Sequence, residues 1–90
     1  MSDVISIVIR LMPSGDELDV ELPVYATGRD IADELLSQDV APRSDQEGNP
    51  YIYEIISKAS NVKIDEEKSL YDAGIRSGET LYFVPKLVAG

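Results

Sequence analysis

Two groups of residues in this ninety-residue chain could do chemistry. The run Pro85-Lys86-Leu87-Val88-Ala89-Gly90 ends in a glycine carboxylate, the group that a protein modifier needs on a short free tail. Just upstream, Tyr82 and Val84 alternate with Leu81 and Phe83. If Leu81 and Phe83 face a core, Tyr82 and Val84 face outward, and an exposed tyrosine is a favoured contact at protein-binding hot spots. A third run, Tyr51 to Ser57, is expected to lie beside them. Its period leaves two faces open: Ile52, Glu54 and Ile56 share one, and Tyr51, Tyr53 and Ile55 share the other. Tyr53 is grouped with Tyr82 and Val84 as the expected protein-binding set, and Gly90 is the candidate conjugation site.

Other chemistries find little support. The chain has neither cysteine nor histidine, which removes disulfides, Cys/His zinc sites, thiolate nucleophiles and imidazole catalysis together. Thr27-Gly28-Arg29-Asp30 contains a single glycine and reads as a helix cap, not a phosphate loop. Asp45, Glu47 and Asn49 lack the spacing of a calcium loop. No nucleophile sits beside a recognisable base in any motif. The expectation is a non-enzyme with no cofactor and no metal.

Charge narrows the partners. Seventeen acidic residues against eight basic give a net charge of -9. Nucleic-acid affinity depends on Lys and Arg neutralising phosphates, so no nucleic-acid partner is expected. The same field favours a protein with a basic surface and speeds their encounter. Met1-Ser2-Asp3 begins acidic without a basic or apolar leader, and no apolar run approaches the length of a membrane span. A cytoplasmic monomer without membrane insertion is therefore expected.

These groups must be carried by a definite set of elements. Ile5, Ile7, Ile9 and Leu11 share one face of an alternating run, with Ser6, Val8 and Arg10 opposite. Pro13-Ser14-Gly15-Asp16 turns the chain, and Leu18, Val20 and Leu22 repeat the alternation, which makes a hairpin. Thr27 caps a helix with Asp30 positioned for the reciprocal bond, and Ile31, Ala32, Leu35 and Leu36 form its apolar stripe. Val40 to Pro50 is a polar loop. Tyr51 to Ser57 is a third strand and Val62-Lys63-Ile64 a short fourth, followed by the charged turn Asp65-Glu66-Glu67-Lys68. Leu70 and Ile75 bracket a turn around Asp72 and Gly74, and Gly78 introduces the last strand. Pro85 cannot donate to a ladder, so regular pairing is expected to weaken there. The order is ββαββ-turn-β: an α+β fold with one mixed sheet and one helix on a single face.

That order resembles the ubiquitin-like β-grasp fold across the whole chain. Its most specific part is Leu70-Tyr71-Asp72-Ala73-Gly74-Ile75 followed by Gly78-Glu79-Thr80-Leu81-Tyr82-Phe83-Val84. Ubiquitin-like proteins use a similar turn to plug the core before a final strand. Leu18 to Ala26, and the ending Val84 to Gly90, are similar to the bacterial YukD-like ubiquitin-fold family, which accompanies type VII secretion or bacterial ubiquitin-like operons. The resemblance implies a ubiquitin-like domain over residues 1–84 and a flexible tail over residues 85–90. It also implies an accessory module bound through its sheet, with a secretion-system component as one partner. The alternative it implies is a covalent modifier or carrier, adenylated at Gly90 by an activating enzyme. Ubiquitin ends in two glycines, whereas the penultimate residue here is Ala89, which adds a methyl group and restricts φ. The stretch between Tyr51 and Leu70 is longer than in ubiquitin.

Overall fold

A computed structural model describes residues 3–87. Five strands and one helix follow in the order β1 (Val4–Leu11), β2 (Glu17–Pro23), α1 (Gly28–Ser37), β3 (Tyr51–Ser57), β4 (Lys63–Ile64) and β5 (Thr80–Leu87). They form one sheet with spatial order β2-β1-β5-β3-β4. The β1–β5 pair is parallel and the other three pairs are antiparallel. The fold is α+β, as the alternation of apolar residues requires.

The strand period decides which side chains meet. Ile7, Ile9, Ile55, Leu81 and Phe83 all point to the face that carries α1, where Ile31 and Leu35 close the core. Leu70 and Ile75, from the turn before β5, complete it. Leu70 is fully buried. Full burial of a Leu or Ile contributes about 1.5–3 kcal/mol, so these few contacts carry most of the stability of so small a domain.

The start of α1 is secured twice. Thr27 Oγ1 accepts from the Asp30 backbone N–H at 3.1 Å, and the Asp30 carboxylate accepts from the Thr27 N–H at 3.1 Å. The helix also donates outward: Gly28 N–H to the Lys68 carbonyl at 3.1 Å and Arg29 N–H to the Glu66 carbonyl at 2.9 Å. Leu70 and Tyr71 donate in turn to the carbonyls of Ala26 and Val24. The segment 66–71 thus laces across the approach to the helix, satisfying donors that a helix N-terminus leaves open. Gly28 is required by this closeness. A Cβ there would sit 3.0 Å from Glu66 Cα and 3.1 Å from the Asp65 carbonyl oxygen. Gly28→Ala is expected to cost about 1–3 kcal/mol, as overpacking against backbone does. A lowered denaturant midpoint with unchanged slope checks it.

Two details depart from the sequence reading. Strand β5 does not weaken at Pro85 but runs to Leu87, with Tyr53 opposite Pro85, Ile52 opposite Lys86 and Tyr51 opposite Leu87. The Lys58 N–H donates to the Thr80 carbonyl. Counting along the antiparallel ladder from that bond, even-numbered β5 residues bond to β3 and odd-numbered ones turn toward β1. Phe83 obeys the rule, its carbonyl accepting from the Met12 N–H. Pro85 therefore lacks its N–H on the side where β1 has already ended at Leu11, and the β3 ladder loses nothing. The flexible tail placed at residues 85–90 loses its first three residues to the sheet; the remainder lies outside the described residues. Gly78, with φ of 90°, makes the left-handed turn into β5 and donates to the Ser6 carbonyl.

The polar loop after α1 is internally ordered. The Asp45 carboxylate accepts from the backbone N–H of Glu47 at 2.9 Å and of Asn49 at 2.8 Å, and from the Asn49 side chain at 3.1 Å. These hydrogen bonds, those from Asn49 foremost, hold the Asp45 pKa below its ordinary value.

Candidate protein-binding surface

The helix covers one face of the sheet, and the candidate surface lies on the other. Tyr82 and Val84 of β5 point to this bare face, since their neighbours Leu81 and Phe83 are fully buried in the core. The register then selects their companions. Ile56 of β3 stands opposite Tyr82, and Glu54 opposite Val84. On the other flank, Arg10 of β1 stands beside Tyr82 and Val8 beside Thr80. Val8, Ile56, Tyr82 and Val84 are each half-buried. Together they form a continuous aromatic–aliphatic strip across the middle three strands.

Charged side chains frame this strip in closed pairs. Arg10 donates to the Glu17 carboxylate from Nε at 3.1 Å and from Nη2 at 2.9 Å. Its guanidinium carbon lies 5.9 Å from the Tyr82 ring centroid, within cation–π reach. At the opposite end, Glu54 holds two lysines, Lys63 Nζ at 2.8 Å and Lys86 Nζ on its other oxygen. The hydrogen bonds from Lys63 and Lys86 hold the Glu54 carboxyl below the usual range, and Glu54 in turn raises Lys63. A depressed carboxyl stabilises the fold fully above its unfolded-state pKa, and that contribution is lost as the pH falls through its folded value. The Glu54 carboxyl is expected to titrate below the ordinary glutamate value because of the hydrogen bonds from Lys63 and Lys86, read from its side-chain carbon shifts, and Lys63→Met with Lys86→Met should move the midpoint back up.

Tyr53 is not part of this surface. Its ring stacks on Phe83 at 4.1 Å with an interplanar angle of 5°, on the core side of the sheet. Its hydroxyl donates to the Pro42 carbonyl at 2.7 Å, which ties the polar loop to β3. Burial raises the phenol pKa. Strand period put Tyr53 and Ile56 on opposite faces but did not say which face was outward; the pairing of β3 with β5 does. Ile56 takes the place that Tyr53 was expected to fill. The Glu54 clamp had no sequence signal, because Lys63 and Lys86 come from two other strands. Gly90 lies outside the described residues.

A family model described as "WXG100 protein secretion system (Wss), protein YukD" matches residues 5–83. The chain belongs to the YukD family. Solved structures agree with the fold at low identity. A de novo designed protein based on ubiquitin has a TM-score of 0.72 and 20% identity, over 100% of this chain and 95% of the designed one. A ubiquitin-like domain from Arabidopsis thaliana has a TM-score of 0.71 and 12% identity, over 97% and 82%. A Caldiarchaeum subterraneum ubiquitin has a TM-score of 0.66 and 16% identity, over 97% and 99%. A search of curated proteins finds no significant match. As a member of the YukD family with this β-grasp fold, the chain is a ubiquitin-like accessory module of a secretion-system family. No helix among the described residues is long and apolar enough to cross a membrane.

Proposed function

We propose that this YukD-family protein works without catalysis, as a monomeric cytoplasmic adaptor docked by another protein on the bare face of its sheet. The observation that carries the reading is the strip of Val8, Ile56, Tyr82 and Val84, opposite the helix-covered face and framed by charges that are already paired. A partner that buries the strip gains apolar area and meets no unneutralised charge beneath it. The family's description as a secretion-system protein supports a component of that machinery as the partner. The acidic field of the chain favours a component with a basic approach surface.

Affinity capture from the native cell, with wild-type protein beside Tyr82→Ala and Val84→Asp variants, tests this. Partners retained by the wild type and lost by both folded variants support the sheet face. Identical partner sets on all three would sink it. Intact mass of the protein from the same cells separates the modifier reading: isopeptide-linked species that vanish on deletion of Gly90 would replace docking with conjugation.

A further inference from the structure

We infer that the hollow between α1 and the outer edge of β3 binds the side-chain carboxamide of a partner protein's glutamine or asparagine, through the backbone N–H and C=O of Tyr53. Strand parity exposes that pair of groups. The Lys58 N–H donates to the Thr80 carbonyl, so Ile52, Glu54 and Ile56 bond to β5, and the odd-numbered residues of β3 turn their backbone away from it. Two bonds on the outer edge agree: the Ser57 N–H donates to the Val62 carbonyl and the Tyr51 N–H to the Arg43 carbonyl. Ile55 is paired with Ile64 of β4. Tyr53 is the exception. Strand β4 is only two residues long and does not reach it. Neither the N–H nor the C=O of Tyr53 has a hydrogen-bond partner among the described residues.

The shape of this gap selects a side chain over a strand. Arg43 lies opposite Tyr51 and Ile64 opposite Ile55, and these two blocked positions are about 13 Å apart along β3. A peptide running along the edge would collide with both. A carboxamide needs no such run, because it carries an acceptor and a donor on one carbon, as a peptide group does. Its oxygen accepts from the Tyr53 N–H while its N–H donates to the Tyr53 carbonyl, which closes a two-bond ring. A carboxylate only accepts and an ammonium only donates, so either would leave one group of Tyr53 unpaired.

The surroundings favour the same occupant. The hollow has a volume of about 680 Å³, and residues 51–55 form one of its walls. Ala32 and Leu36 of α1 and Ile64 of β4 line it with apolar surface, which suits the methylene stem of the side chain and strengthens hydrogen bonds made inside. Its two cations are already engaged, Arg29 with Glu66 and Lys63 with Glu54. Asp33 and Asp65 also line it and enter no ion pair among the described residues. Their charge repels a carboxylate and favours a neutral amide with lysine beside it.

The probe is a peptide Lys-Leu-Gln-Leu-Lys with both ends capped, compared with versions carrying glutamate or methionine in place of the glutamine. Amide shift mapping and hydrogen exchange give the readout. In the free protein the Tyr53 amide should exchange much faster than those of Glu54 and Ile55, which lie in ladders. The glutamine peptide should bind, move the Tyr53 amide proton downfield and slow its exchange. The glutamate and methionine peptides should bind at least about tenfold more weakly. Ala32→Arg, which fills the hollow from the helix side, should abolish binding, and Tyr82→Ala on the opposite face should leave it unchanged. Slow exchange of Tyr53 in the free wild-type protein would overturn the inference without any variant. Equal binding of the three peptides, shifts on Val8 and Tyr82 instead, or full affinity of a folded Ala32→Arg protein would each do the same. So would a lack of binding by the glutamine peptide, which would leave the gap to water.

Discussion

Leu70→Ala is expected to destabilise the protein by about 2–5 kcal/mol. Leu70 is fully buried, and it sits where the chain has least freedom to collapse around a void. Its N–H donates to the Ala26 carbonyl, its own carbonyl accepts from the Ile75 N–H, and Ser69 forms a bridge with Thr27. The backbone on both sides is thus fixed by hydrogen bonds, so the cavity stays open and its full cost is felt. A domain of ninety residues has a total stability of about 5–13 kcal/mol. The substitution removes a large share of that, and a denaturant titration will read it as a midpoint shift. Ile75→Val, which deletes one methylene at a less enclosed site that is 8% exposed, should cost only about 0.5–1.5 kcal/mol. Equal losses for the two would mean that the plug relaxes freely.

Tyr82→Ala is expected to weaken the docked complex by about thirtyfold or more, the range of a central hot spot. Tyr82 occupies the middle of the strip, with Ile56 across one ladder and Arg10 across the other. Its ring already lies within cation–π reach of Arg10 before any partner arrives, which reduces the side-chain freedom lost on binding. Val84→Ala, at the edge near the Glu54 clamp, should cost less. Tyr53→Phe is the control: it removes the hydroxyl bond to the Pro42 carbonyl and should change loop order and stability without changing affinity. A titration of the captured partner with each variant gives these values directly. Loss of affinity in Tyr53→Phe as large as in Tyr82→Ala would move the site to the core side.

The elements themselves were legible in the chain because each rests on a local rule. The period of Ile5 to Leu11, the Thr27–Asp30 box and the Leu70–Ile75 plug are readable within a few residues, and all stand in the structure. The candidate site was legible only in part. Tyr82 and Val84 follow from the burial of Leu81 and Phe83, but Ile56 depends on a register between strands β3 and β5 that no local pattern encodes. The same non-local cause hid the ordered residues Pro85 to Leu87. A proline is a ladder breaker only where its neighbour strand is present, and the end of β1 at Leu11 was not connected in the sequence to Pro85. The lacing of residues 66–71 across α1 was likewise invisible, since carbonyl acceptors carry no residue signature.

The parallel union of β1 with β5 has a consequence for how the protein is made. Strand β1 has its central neighbour far along the sequence, in Thr80 to Leu87. Until those residues leave the ribosome, the β1–β2 hairpin, the helix and the β3–β4 pair cannot join into one sheet, which leaves one edge of β1 unpaired and apolar surface open to other chains. Folding of this domain is thus expected to finish only after Thr80 to Leu87 have emerged. A nascent chain arrested before Thr80 should remain protease-sensitive, whereas one extended by a linker beyond Gly90 should be protected.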